Sequence, residues 1–310
     1  MNLFRLSSPQ TFYPFAGRLV PVFAVLAALC CAAGLALGLA MAPTDAIQGE
    51  VYRIIFIHVP AAWMSMFIYL VMAFWAAVGL GLGTRLSFYM MRALAPTGAL
   101  FCFIALWTGA LWGKPTWGTY WAWDARMTSQ LLLQFLYFGF MALTAAIEDP
   151  RRGDKAGAIL ALVGAVNVPV IYFSVQWWNT LHQGASVKPG QSSMATLMLA
   201  GMLVMAFAAW FYSLAVSWAR ARRIILERER HTDWAHAEIA RSGSGEGGAS
   251  MMQWQSWNDF FAMGGRGFYV WGSFGVSFVL IVAELWWLRL ARLASLRRLR
   301  QLQQLESDSE

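Results

Sequence analysis

Ala61-Ala-Trp-Met-Ser-Met-Phe-Ile-Tyr-Leu-Val-Met-Ala-Phe-Trp-Ala-Ala-Val-Gly-Leu-Gly-Leu82 carries no charged side chain from end to end. The hydrocarbon core of a bilayer, about 30 Å thick, takes about 20 apolar helical residues to cross. The stretch therefore reads as a membrane span and not as the core helix of a soluble domain. Similar runs flank it near Leu19–Met41, Leu94–Trp112, Ser129–Ile147, Ala156–Trp178 and Ala195–Trp218, with a seventh near Phe268–Trp287. Composition agrees: 59% of the 310 residues are hydrophobic and 13% charged, where a soluble domain has about 45–50% and about 25%. A soluble globule and a disordered chain are both excluded. The expected fold class is an all-α integral membrane protein, a six-helix transmembrane bundle plus one C-terminal single-span segment. Ala40-Met41-Ala42 has the small-x-small form of a cleavage site, but the run before it exceeds the roughly 7–15 residues of a signal's apolar region, so it is read as a span.

Basic residues give the bundle a direction. With the N-terminus inside, Arg5, Arg18, Arg85, Arg92, Arg151, Arg152, Lys155, Arg220, Arg222, Arg223, Arg228 and Arg230 fall on the inner side of the first six spans. Arg53, Lys114, Arg126 and Lys188 fall on the outer side. An excess of Lys and Arg marks the cytoplasmic side, so the net charge of +7 is explained by orientation and needs no nucleic acid. The expected location is a bacterial inner membrane, with a cytoplasmic N-terminus and periplasmic segments Ala42–Pro60, Gly113–Thr128 and Asn179–Met194. Three parts are expected: a six-span core at 1–219, a charged helix and Gly/Ser-rich linker at 220–250, and a single-span segment at 251–310. The seventh span ends in Arg289, Arg292, Arg297, Arg298 and Arg300. The charge rule puts these inside, whereas six preceding crossings put them outside. That conflict leads to the expectation that the two parts are separate chains in the cell, or that the linker is cut.

Several chemistries are ruled out by the motifs. No G-x-x-x-x-G-K-[ST] loop is present, so the chain is not a P-loop ATPase. Ionisable residues are almost absent from the six central spans, which argues against proton coupling through a chain of carboxylates. Cys30, Cys31 and Cys102 lie within spans and form no C-x-x-C pattern, so they read as packing residues. Gly34-x-x-x-Gly38 and Gly79-x-x-x-Gly83 read as places where helices approach closely. His231 and His236 fall in the charged tail and read as solvated. His58 and His182 differ: each stands at the outer edge of a span, just before the second and just after the fifth. A haem takes one axial ligand on each side of its plane, so two imidazoles at one depth can hold one iron. Between the third and fourth spans runs Trp112-Gly-Lys-Pro-Thr-Trp117-Gly-Thr-Tyr120-Trp121-Ala-Trp123-Asp124-Ala-Arg126-Met-Thr128. Trp117, Tyr120, Trp121 and Trp123 form a large rigid aromatic surface, while Gly113, Pro115 and Gly118 favour turns over a continuous helix. Such a surface suits a flat aromatic ligand. Lys114 and Arg126 are suited to the propionates of a haem, and Asp124 to orienting Arg126 or capping the next helix.

The string from Trp117 to Thr128 resembles the tryptophan-rich WWD signature of the haem-handling proteins of cytochrome c maturation. Six spans, the signature between the third and fourth, and single outer histidines at 58 and 182 resemble the CcmC family over about residues 10–225. Tyr120 stands where that family usually has Trp, Met127 where Leu is usual and Gln130 where an acid is expected; an aromatic face and an apolar anchor are kept. The resemblance implies haem b bound as cargo at the outer face. His58 and His182 would be its axial ligands, with Trp117, Gly118, Tyr120, Trp121, Trp123 and Asp124 in the binding loop and Arg126 and Lys114 on the propionates. It implies delivery to the periplasmic haem chaperone CcmE, whose own histidine becomes bonded to a haem vinyl, and an ATP-driven transporter pair, CcmA and CcmB, as partners. Whether that attachment counts as enzyme activity is a matter of definition; no hydrolase motif is present. The rival readings are a transmembrane haem exporter or channel subunit and a WWD-type cytochrome c haem lyase. The tail, from Trp257-Asn-Asp-Phe-Phe261 through Gly264-Gly-Arg-Gly-Phe-Tyr-Val-Trp271 to a single span with an arginine-rich end, resembles CcmD, the small partner of CcmC. CcmD-like proteins are expected to keep their basic end inside, which sharpens the parity conflict.

Overall fold

The computed structural model describes residues 7–182, 187–188, 191–192, 194–241 and 267–307. Ser8 is extended and Pro9 takes the first helical position, where its missing N–H would have had no partner. From there α1 runs Pro9–Leu35 and continues through one widened turn, Ala36–Met41. A 3-10 helix, Glu50–Ile54, leads directly into α2, Ile55–Leu82. The remaining helices are α3 (Arg85–Trp117), α4 (Ala125–Ala146), α5 (Pro150–Gly164), α6 (Asn167–Trp177), α7 (Thr196–Arg228), α8 (Asp233–Arg241) and α9 (Gly267–Ser307). Apart from a two-residue antiparallel ribbon, Val187–Lys188 with Gln191–Ser192, the regular structure among the described residues is helical. Seven helical stretches are long and apolar enough to cross a membrane, with α5 and α6 together forming one of them. This is the all-α membrane bundle with a C-terminal span that the sequence predicts.

The differences lie at helix ends and at one break. The fifth span, expected to be continuous, divides at Ala165–Val166 because Pro169 has no N–H for the Ala165 carbonyl and its ring crowds that carbonyl. Asn167 Nδ2 fastens the break by donating to the Ser129 carbonyl at 2.9 Å. Gly34 and Gly38 do let helices meet: a Cβ on either would lie 2.6 Å from Met205 or Phe56. Gly79 packs similarly against Phe88, but Gly83 has a different task, ending α2 in a left-handed conformation at φ 67°. At the centre Tyr69, Met72, Ile104, Leu133, Tyr137 and Phe140 are fully buried. Phe74, Phe135 and Trp287, by contrast, turn outward at 58%, 59% and 73% exposure, the arrangement expected where hydrocarbon rather than water is outside.

Many of the arginines that the charge rule places inside are also fasteners at one end of the bundle. Glu229, just past α7, accepts from Arg85 at 2.8 Å and from the Tyr89 hydroxyl at 2.9 Å. Asp154 of α5 accepts from Arg92 and, at 3.3 Å, from Arg228. At the opposite end the buried Arg53 guanidinium bonds Glu50 and the carbonyls of Gly38 and Ala42, which satisfies chain-end carbonyls after α1.

Helix α9 runs from the end of the bundle that holds the start of α2 to the end that holds the starts of α1 and α3. Trp271 and Phe274 pack with Val51, Ile54 and Trp112 near the start of α2. Leu296 joins the cluster of Phe12, Tyr13, Leu86 and Ile225 at the other end. Arg289 and Arg292 therefore share an end with Arg222 and Arg223, the clustering that the charge rule favours; Arg297, Arg298 and Arg300 follow on the same helix. The linker, at 242–250, and the Trp257–Arg266 part of the tail motif lie outside the described residues. Midway along, Glu284 of α9 pairs with Arg220 of α7 at 2.7 Å and accepts from Thr97 at 3.0 Å, while Arg220 also bonds the Ala93 carbonyl and Thr97. Tyr212 donates to the second Glu284 oxygen.

Candidate functional site

His58 falls in the first turn of α2 and turns inward against α3, where Gly109 makes room: a Cβ there would stand 3.0 Å from His58 Cε1. Its Nδ1 lies 3.0 Å from Thr108 Oγ1. The Thr108 hydroxyl donates its own hydrogen to the Ile104 carbonyl at 2.6 Å, so toward His58 it acts as acceptor. Nδ1 therefore carries the ring proton and Nε2 keeps its lone pair. Thr108 was not among the residues singled out from sequence. Its signal was faint, a hydroxyl one helical turn before Trp112 and fifty positions from the histidine it serves.

His182 follows α6 in non-helical chain. Its ring centroid lies 6.3 Å from that of His58, with the planes inclined by 30°. Trp112 meets His58 edge-on at 5.5 Å, and Trp117 lies 5.9 Å from His182. Between them is a cavity of about 60 Å³ lined by His58, His182, Trp112, Trp117, Arg126, Met127 and Gln130 among others. That is room for about two water molecules.

The loop before α4 is shorter than expected. Helix α3 absorbs Gly113 and Pro115 and ends only at Trp117, because the Thr116 hydroxyl bonds the Trp112 carbonyl and the Gly118 N–H bonds the Lys114 carbonyl. Gly118, at φ 80°, then turns the chain as only glycine does readily. Asp124 caps α4 by accepting from the Met127 N–H at 2.8 Å, the second of its two expected roles. Its other oxygen accepts from the Leu181 N–H at 3.2 Å, so one carboxylate joins the aromatic loop to the residue beside His182. Arg126 lines the cavity and donates to the Ile171 carbonyl at 3.1 Å.

The aromatic residues do not form one platform. Trp117 faces the cavity, whereas Tyr120 and Trp123 are exposed at 47% and 78%. Trp121 packs edge-on against Trp123 at 5.4 Å, and its buried Nε1–H has no acceptor among the described residues. Lys114 stands apart from the cavity: its ammonium donates to the Gly118 carbonyl at 3.0 Å and sits 5.4 Å above the Tyr120 ring. The local carbonyl four residues on satisfies it, which sequence position alone did not reveal. Trp112, Thr108 and Gln130 are the residues the structure adds.

These features define a class: a multi-pass helical membrane protein with an aromatic cavity between two histidines at one end of its bundle. The family model described as heme exporter protein C matches residues 2–236, and one described as heme exporter protein D matches residues 264–307. Heme exporter protein C of Bradyrhizobium diazoefficiens is 46% identical over 229 residues, which span 74% of this chain and 87% of that protein. The Escherichia coli strain K12 protein of the same name is 42% identical over 247 residues, 78% of this chain and 98% of its own. A putative cytochrome c biosynthesis ccmC-like mitochondrial protein of Marchantia polymorpha is 42% identical over 187 residues, 60% of this chain and 79% of its own. The chain belongs to the heme exporter protein C family, CcmC, and carries a CcmD segment at its C-terminal end.

Proposed function

We propose that this chain binds haem b as cargo at the outer, periplasmic end of an inner-membrane bundle and presents it to the chaperone CcmE during cytochrome c maturation. Family membership supports the haem-handling role, and the names of its relatives carry the word. The observation that carries the reading is the 6.3 Å between the His58 and His182 ring centroids. Two metal–nitrogen bonds of about 2 Å each leave about 2 Å for the ring radii, so one iron fits between the imidazoles. The Thr108 bond supports Nε2 of His58 as the liganding atom. Trp117 would lie against the porphyrin, Arg126 would exchange the Ile171 carbonyl for a propionate, and the unpartnered Trp121 Nε1–H is a second donor suited to a carboxylate. A cavity of about 60 Å³ is far smaller than a macrocycle, so the porphyrin edge would project and the 118–124 loop would shift on binding. Gly118 and Asp124 would set that loop's shape, and Lys114, Tyr120 and Trp123, already outside, would meet the projecting edge or the chaperone.

In this reading residues 1–219 are the haem-handling core, 220–250 a charged connector and 251–310 the CcmD-like part, with CcmA and CcmB supplying the ATP-driven step. The test is the absorption spectrum of the detergent-purified full chain from haem-sufficient cells, beside His58→Ala and His182→Ala. A low-spin spectrum that is lost or becomes high-spin in each mutant is expected. Full haem retention in both would refute axial ligation by this pair.

A further inference from the structure

We propose that an anionic diacyl phospholipid of the phosphatidylglycerol class occupies the cleft between α1, α7 and α9 at the arginine-rich end of the bundle. A cavity of about 450 Å³ there is walled by Arg222 and Arg223 of α7, Arg289 and Arg292 of α9, Tyr13 of α1 and Trp286 of α9. Four arginines thus line it. Acids nearby include Glu227, 3.9 Å from Arg223 and already bonded by the Ser295 hydroxyl, and Glu238, which acts on Arg222. Among the described residues four arginines line the cavity and no acid does. Arg222 is held rigidly, its Nε donating to the Tyr13 carbonyl at 3.1 Å and its guanidinium lying 4.1 Å above the Tyr13 ring. Arg223 also lines the cavity, and the Arg223 Nε–H itself is buried without an acceptor among the described residues.

A second feature distinguishes a lipid from free phosphate. Val282 and Trp286 line this cavity and also an almost wholly apolar groove of about 490 Å³ that continues along α9 past Phe278, Val279 and Ala283. From Arg289 back to Phe278 a helix rises about 16 Å, about half the hydrocarbon thickness of a bilayer. A basic pocket joined to an apolar groove one leaflet deep has the shape of a phospholipid head and acyl chain. Basic pockets between transmembrane helices bind anionic head groups for this reason. The lipid would neutralise like charges on α7 and α9 and so hold α9 against the core. The inference rests on the membrane bundle alone and does not depend on haem.

The full chain, delipidated in detergent, is titrated by native mass spectrometry with dioleoylphosphatidylglycerol and, separately, with dioleoylphosphatidylcholine. Phosphatidylglycerol is expected to bind with a clear preference, and the Arg289→Gln/Arg292→Gln double variant to weaken it about 30-fold. Both side chains are exposed, so the fold should survive. Arg297→Gln, on the same helix but off the cavity, is expected to bind as the parent does, and Val282→Trp to bind less by filling the groove. Equal binding of the two lipids would overturn the proposal, as would an equal loss in Arg297→Gln. Displacement of the lipid by millimolar inorganic phosphate would reassign the site to a free anion and overturn it too.

Discussion

At the scale of single residues, the proposed haem site would depend on a hydroxyl that touches no ligand. Thr108 accepts from His58 Nδ1 and donates to Ile104, which orients the imidazole and fixes its tautomer. Outer-shell partners of this kind are worth roughly 10–100-fold in metal affinity. Thr108→Val is therefore expected to weaken haem binding by about that factor, and Thr108→Ser to restore most of it, with both proteins inserted normally; haem titration followed by absorbance reads this directly. Unchanged affinity in Thr108→Val would remove the residue from the site. The two histidines were legible in the sequence because their depth followed from the span edges. Thr108 was not, because its partner lies fifty positions away. Arg126 lines the cavity as its place in the motif suggested, whereas Lys114 stands outside it, its ammonium on a carbonyl within its own turn.

Among the elements, α9 carries an acid in the middle of an apolar helix, and such residues need a partner. Arg220 is that partner, with side-chain exposures of 8% and 11% for the pair. Removing one member of a buried pair leaves an uncompensated charge, typically at a cost of about 3–5 kcal/mol. Glu284→Leu is expected to destabilise the detergent-solubilised chain on that order, and Glu284→Gln by less, read as the shift in thermal unfolding. A Glu284→Leu chain as stable as the parent would mean that Arg220 does not depend on α9. Existence of the spans was plain from apolar runs, but their ends were not. Helix α3 begins at Arg85 and α7 continues to Arg228 because long basic side chains find acids and carbonyls beyond the apolar stretch. The break before α6 was invisible to hydropathy, since Pro169 interrupts the hydrogen-bond ladder without interrupting the apolar run.

For the whole molecule, the direction of α9 bears on how many polypeptides there are. Its basic end lies with the starts of α1 and α3 and the end of α7, while its first residues lie beside the start of α2. A six-span core followed by a span in this direction is what two separately inserted chains would give. Intact-mass measurement on native membranes is expected to find two fragments and not the 34.6 kDa chain. A single species of full mass would sink the two-chain reading. The charge pattern foretold this direction; crossing parity, counted along one chain, did not.

The arginines that the charge rule places inside answer to two demands at different times. While the chain is entering the membrane, any cation in those positions fixes its direction. Once it has folded, Arg85, Arg92, Arg220 and Arg228 must reach particular oxygens with a planar, many-donor group. Lysine meets the first demand and fails the second. The mutational freedom usually granted to surface charge is therefore withdrawn here, and a substitution that leaves topology intact can still loosen the folded bundle.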